Sequence, residues 1–275
     1  MCIRDRSKIF DCITFFRENF ITNIRFEILN KYVDYFVICE SKFDHNGKKK
    51  KLNFKLKNLS FKSKIIYIVL DHPFPSYLKD GWQRQAYQRD YMLSRIPNIE
   101  PDDYIMFSDP DEIPNPKKLK NFNLKKKYGI FMQSHYVYKF NIQNLYEDPW
   151  QGTRICKFKN LKSIDYMRQN ILLKNLKKWW RPDKEKSIEI ILNGGWHFNN
   201  IFSAKELSIK LKTFAHKEFY GDKYSNINII KKKIIKKEDL YGRGQIFNLV
   251  ILDKTFPEYI LKNKNFLYKF IEYQV

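Results

Sequence analysis

Apolar positions come in continuous runs in the first hundred residues and at helical spacing between those runs. Residues 9–16 (IFDCITFF) predict a buried strand, and residues 17–32 follow with Phe20, Ile24, Ile28 and Leu29 on one helical stripe. Residues 34–41 (DYFVICES) predict a second buried strand. Strand, helix, strand within this length is a βαβ unit, which requires parallel pairing and a right-handed crossover. Residues 64–70 predict a third strand, 82–96 a helix and 104–107 a fourth strand, while the lysine run within 44–51 reads as a solvated turn. This alternation predicts an α/β fold: a Rossmann-type, mostly parallel sheet flanked by helices, with ligands bound outside the carboxyl ends of the strands. Farther on, 129–140 and 154–158 read as strands, 207–214 as a helix, 177–186 as a basic, aromatic surface loop, and the chain from 227 as amphipathic helices. With no internal repeat or Gly/Ser linker, the expectation is a single domain over 7–245 followed by a C-terminal helical extension, 246–275.

The fourth run ends abruptly in Ser108, Asp109, Pro110, Asp111, Glu112, Ile113 and Pro114. Asp109 and Asp111 can both face a crevice if Pro110 kinks the chain out of strict alternation. Hard oxygen ligands of this kind suit Mg²⁺ or Mn²⁺, which bind through one or two carboxylates plus substrate phosphates, and so point to a phosphate-bearing donor. The competing reading is an Asp-Pro turn capping a helix that starts near Pro114.

Composition changes this picture little. In 275 residues, 43% hydrophobic and 17% aromatic content supports a substantial core. The net charge of +22 raises nucleic-acid or anionic-membrane binding, but the excess is Lys-heavy and spread along the chain. It is read as compositional: no specific nucleic-acid partner is expected, and peripheral contact with an anionic membrane is a secondary expectation. Cys2, Cys12, Cys39 and Cys156 show neither paired nor metal-finger spacing, which fits a reducing compartment. With no apolar stretch approaching ~18 residues and no signal-peptide core at the start, a cytoplasmic location is expected.

On that scaffold, seven segments in order carry a resemblance: DCITFFREN (11–19), IRFEILNKYVDYFVICES (24–41), QRQAYQRD (83–90), DDYIMFSDPDEIP (102–114), WQGTRI (150–155), GGWHF (194–198) and KLKTFAHKE (210–218). Together they make the chain resemble glycosyltransferase family 17. The resemblance implies a GT-A-like fold, a divalent metal (Mn²⁺ or Mg²⁺), a UDP-sugar donor, and inverting transfer of N-acetylglucosamine to a glycan acceptor whose identity the family does not fix. Golgi members carry an N-terminal membrane anchor and this chain shows none, which strengthens the cytoplasmic expectation.

Within that frame Asp111 is the expected direct metal ligand, and Asp109 is expected to contact the donor ribose or a metal-bound water. Glu112 is read as a ligand, the catalytic base or a helix-start residue. His197, in a turn formed by Gly194, Gly195, Trp196 and His197, is the expected third metal ligand or diphosphate contact, since two glycines let the backbone approach a ligand; packing beside Trp196 is its alternative, and His216 is the competing imidazole. Arg89 is read as a planar fork for phosphate or Asp109, or as a structural salt bridge to the acidic cluster. Glu40 is read as a nucleobase or ribose contact, or as a turn cap. The base is assigned to Asp148, beside Pro149 and Trp150, with Glu112 as the second catalytic candidate. Trp150 and Trp196 are sugar platforms or core anchors. Two rival functions remain: a metal-dependent nucleotidyltransferase or phosphoesterase, and a basic single-strand-binding module built around Trp179, Trp180 and Arg181.

Overall fold

The long apolar runs form one half of a single ten-stranded sheet, ending at its edge. A computed structural model describes residues 6–213 and 221–273. Strands β1 (Ile9–Phe15), β2 (Tyr35–Ser41), β3 (Ile65–Leu70) and β4 (Tyr104–Phe107) lie parallel in the order β3-β2-β1-β4. Helix α1 (Asn19–Leu29) makes the β1–β2 crossover, and α2 (Gly81–Leu93), N-capped by Asp80 through the Gln83 amide at 2.8 Å, precedes β4. Both faces of this half are covered, which is why its strands read as unbroken apolar runs. Along β1, Ile9, Ile13 and Phe15 pack with Ile24, Phe26 and Leu29 of α1, while Phe10 and Cys12 pack on the other face with Met92 of α2.

The rest of the sheet is largely antiparallel. It comprises β5 (Glu112–Pro114), β6 (Tyr128–Val137), β7 (Ile142–Asn144), β8 (Trp150–Lys157), β9 (Ile188–Asn199) and β10 (Phe247–Leu249), with short helices α3 (Pro116–Leu119) and α4 (Ile164–Asn170) between them. Strand β8 joins the halves by pairing with β4 and β6, β9 runs parallel to β6, and β5 pairs with β9. The sheet as a whole is therefore mixed, with the expected parallel pairing confined mostly to its first half. Helices α5 (Ala204–Thr213), α6 (Asp222–Ser225) and α7 (Ile227–Lys236) follow β9; Leu207, Leu211 and Ile230 form a third apolar cluster with Val137 and Ile142.

Two local readings change. No helix starts at Pro114, which lies in β5; α3 begins at Pro116, where Asn115 accepts the Lys117 amide as N-cap. The Gly194–Gly195 pair is not a turn but the interior of β9. The segment from 246 contributes β10, which pairs with β7 at the sheet edge, and the short α8 (Glu258–Lys262). Its Phe256, Ile260, Leu267 and Ile271 are buried in the same cluster as Ile9 and Ile24. Cys12, Cys39 and Cys156 are buried free thiols; Cys2 lies outside the described residues.

Candidate active site

The carboxyl ends of β1, β2 and β4 open into a cavity of about 260 Å³ whose walls include Phe16, Ser41 and Asp109. The position follows from topology: between β1 and β4 the chain reverses the side on which strands are added, and open α/β sheets bind ligands at that crevice. The opposite wall comes from the second half, with Trp150 of β8, His197 of β9 and Lys210 of α5.

The acidic turn stands on a buried arginine. Asp11 of β1 is almost fully buried facing α1, and Arg25 of α1, itself wholly buried, pairs with it through two bonds of 2.6 and 2.7 Å. The same guanidinium donates to Ser108 Oγ at 2.7 Å and to the Glu112 carbonyl at 2.7 Å. Ser108 and Thr153 hydroxyls donate to that carbonyl as well, each at 3.1 Å. The backbone from 108 to 112 is thus fixed from beneath, and Asp109, Asp111 and Glu112 line the cavity.

Those three carboxylates have different partners. Glu112, 1% exposed, accepts from Trp150 Nε1 at 2.7 Å and from both Nη atoms of Arg168 at 2.7 and 3.0 Å. Asp109 accepts from Arg168 Nη2 at 2.8 Å. Burial alone would raise the Asp109 carboxyl, but the charges of Arg168, Arg89, His197 and Lys210 together outweigh it, Arg168 the most, and hold that carboxyl below its usual range. Asp111 has no such clamp. Burial pushes its carboxyl up, with partial relief from His197, whose Nε2 lies 3.8 Å from Asp111 Oδ1.

His197 is held by its rings' neighbours. It stacks on His135 at 4.5 Å between centroids and lies 4.8 Å from the Trp150 ring, and its Nδ1 is buried with no hydrogen-bond partner among the described residues. Burial, reinforced by the charge of His197, pushes His135 down to about 2, so it packs as a neutral ring. Among the described residues no group of three or more His, Cys, Asp or Glu side chains is arranged to hold a metal ion by itself. What the cavity presents is a pair, Asp111 and His197, two side chains of the kinds that could ligate a cation.

Several expected site residues lie elsewhere. Glu40 is wholly buried and its oxygens are used, accepting from Lys50 Nζ, the Asn53 and Phe54 amides and the Tyr67 hydroxyl at 2.7–3.0 Å; it folds the 42–54 loop instead of meeting a nucleotide. Arg89 is outside the cavity lining and pairs with Asp165 at 2.8 Å, not with the acidic cluster. Trp196 packs in the core against Phe198 and donates to the Thr255 carbonyl, while Trp150 lines the cavity. Asp148 is outside the cavity lining and accepts from Gln143. His216 lies outside the described residues. The glycines admit backbone, not ligand: a Cβ on Gly195 would lie 2.2 Å from the Ile113 carbonyl oxygen, across the β5–β9 pairing.

The residues that sequence reasoning missed are Arg25, Arg168 and His135. For the arginines a signal existed: the chain has only 11 Arg among 52 basic residues, and four of them, Arg25, Arg89, Arg154 and Arg168, are fixed in the interior or at the site. Where lysine is the default surface cation, an arginine marks a position that needs a planar, permanently charged fork.

The sequence profile of glycosyltransferase family 17 matches residues 2–271. The chain belongs to glycosyltransferase family 17. It is similar to the β-1,4-mannosyl-glycoprotein 4-β-N-acetylglucosaminyltransferases of Rattus norvegicus and Homo sapiens, each 35% identical over 116 residues, 39% of this chain and 22% of the relative. The Mus musculus protein of the same name is 34% identical over the same length. This family 17 chain thus aligns with about a fifth of the length of those relatives. They also correct the cytoplasmic expectation: they are named for action on mannosyl-glycoproteins, against which free cysteines and the lack of a long apolar run carry no weight. No helix among the described residues is long and apolar enough to cross a membrane.

Proposed function

We propose that the protein transfers N-acetylglucosamine, with inversion, from its UDP conjugate to a hydroxyl of a glycan acceptor, on a GT-A-like scaffold comprising residues 7–245 with the following segment packed against it. The observation that carries this reading is the unclamped Asp111 carboxylate facing the cavity opposite His197. Asp111 and His197 are the residues that would hold Mn²⁺ or Mg²⁺, which when bound neutralises the departing diphosphate as a Lewis acid. Lys210 and Arg243, on the same cavity wall, add positive charge where the diphosphate leaves. Glu112 holds Arg168 and the Trp150 indole in place; a carboxylate committed to a guanidinium and an indole is a positioning group here and not the base. Trp150 then offers its face to a sugar ring.

The test is donor consumption by the purified chain with a panel of UDP sugars, with and without Mn²⁺. UDP-N-acetylglucosamine turnover that requires the metal, and falls by at least about 10²-fold in Asp111→Asn, supports the reading. That variant stays folded, because the buried carboxylate it replaces meets no hydrogen-bond donor among the described residues. Metal-independent turnover, or full activity in Asp111→Asn, overturns it.

A further inference from the structure

Residues 171–187 connect α4 to β9, and the two parts of this loop are built differently. Its base is anchored: the Leu173 amide donates to Gln151 Oε1 at 3.0 Å, and Asn175 is buried and donates to the Asn170 carbonyl at 2.6 Å. Leu173 and Leu176 pack against the apolar cluster that contains Tyr128 and Ile188. Its tip is the reverse. Trp179 is 83% exposed and Trp180 60%, their rings edge to face at 6.1 Å.

Charge is concentrated around the two indoles. Between 174 and 186 six cations stand against two carboxylates, and of the two Asp183 is already paired with Arg181 at 2.7 Å and Lys184 at 3.4 Å. Lys174 and Lys177 are exposed beside the tip. Exposed tryptophan next to lysine is the composition of a bilayer interface anchor, where the ring sits at headgroup depth and the cations meet lipid phosphate. Single-stranded nucleic acid is instead tracked by a groove, whereas this tip lines neither the candidate active-site cavity nor the one beside Ile9 and Tyr104.

We propose that the 171–187 loop is a membrane-docking element, whose Trp179 and Trp180 enter the interface of an anionic lipid bilayer while Lys174, Lys177, Lys178 and Arg181 lie against its headgroups. The net charge of +22 steers the whole molecule to such a surface.

Sedimentation with vesicles of phosphatidylcholine alone, or mixed with phosphatidylglycerol, tests this without reference to sugar transfer. The full chain should bind the mixed vesicles only, release with added salt, and show blue-shifted tryptophan emission. The double variants Trp179→Ser/Trp180→Ser and Lys177→Glu/Lys178→Glu should each weaken binding at least about tenfold, since one basic residue near an anionic surface is worth roughly fivefold. Unchanged thermal melting of both variants separates this effect from misfolding. No binding by the parent, equal binding by the variants, or loop-dependent binding to a single-stranded oligonucleotide in place of vesicles overturns the proposal.

Discussion

Arg168 joins two carboxylates of the site with one guanidinium, bridging Glu112 and Asp109 at 2.7 and 2.8 Å from a single nitrogen. A lysine has one point charge and cannot reproduce that fork. Arg168→Lys should therefore lower kcat about as far as Arg168→Gln, by roughly 10²-fold, with thermal melting reporting that the fold survives; rescue by lysine would show that charge alone is needed. His135 gives a second prediction at this scale. Its folded pKa of about 2 lies below the unfolded value, so in acid the unfolded chain takes a proton that the folded chain refuses. The stability it confers is complete above about pH 6.5 and is lost as pH falls, at about 1.4 kcal/mol per pH unit. Half-buried His45, also pushed down by desolvation, adds to the slope, so His135→Phe should remove part of it in urea melts between neutral and mildly acidic pH. An unchanged slope would mean that His135 is protonated in the folded state. Asp109, Asp111 and His197 were singled out because carboxylates at a strand end and imidazole beside glycine have few structural uses, and the structure places all three on one cavity lining. Arg168 was not, because its role depends on α4 docking 56 residues beyond Glu112, a distance no local pattern spans.

At the scale of elements, the parallel strands were readable and the site's second wall was not. Strands β1, β2 and β4 are buried on both faces and spell themselves out as apolar runs, whereas β5 is only three residues long and β9 carries two glycines and exposed Ile190 and Leu192. The glycines are the reason this wall exists. Gly195 sits at φ +132°, and a Cβ there would meet the Ile113 carbonyl oxygen and the Asn115 amide nitrogen, so only glycine lets β9 lie beside β5 and put His197 opposite Glu112. Gly195→Ala should cost at least about 2 kcal/mol, a fall in melting temperature of roughly 4–8 °C. Gly221→Ala is the control: nothing among the described residues lies within 4 Å of its added Cβ, and it should stay within about 0.5 kcal/mol of the parent. Equal stability of the two variants would mean that β5 and β9 separate at little cost.

For the whole molecule the informative question is whether the segment after residue 245 is an appendage or part of the cooperative unit. The sequence suggested an appendage, because amphipathic, lysine-rich stretches look alike whether they pack or not. In the structure, Phe256, Ile260, Leu267 and Ile271 are buried with residues of β1 and α1, Phe20 meets Phe270 at 4.4 Å, and the Phe140 amide donates to the Phe270 carbonyl at 2.8 Å. Glu272 closes the chain's end through Lys139 and Lys237. Four buried apolar side chains at about 1.5–3 kcal/mol each amount to most of a typical domain stability of about 5–15 kcal/mol. A chain ended at Gln245 should therefore lack a cooperative thermal transition, and Leu267→Ala in the full chain should cost about 2–5 kcal/mol. The helix it strips is α1, which carries Arg25 and so supports the acidic turn, so loss of the segment should remove UDP binding together with the fold. A soluble, UDP-binding chain ending at residue 245 would instead place the whole cooperative unit upstream.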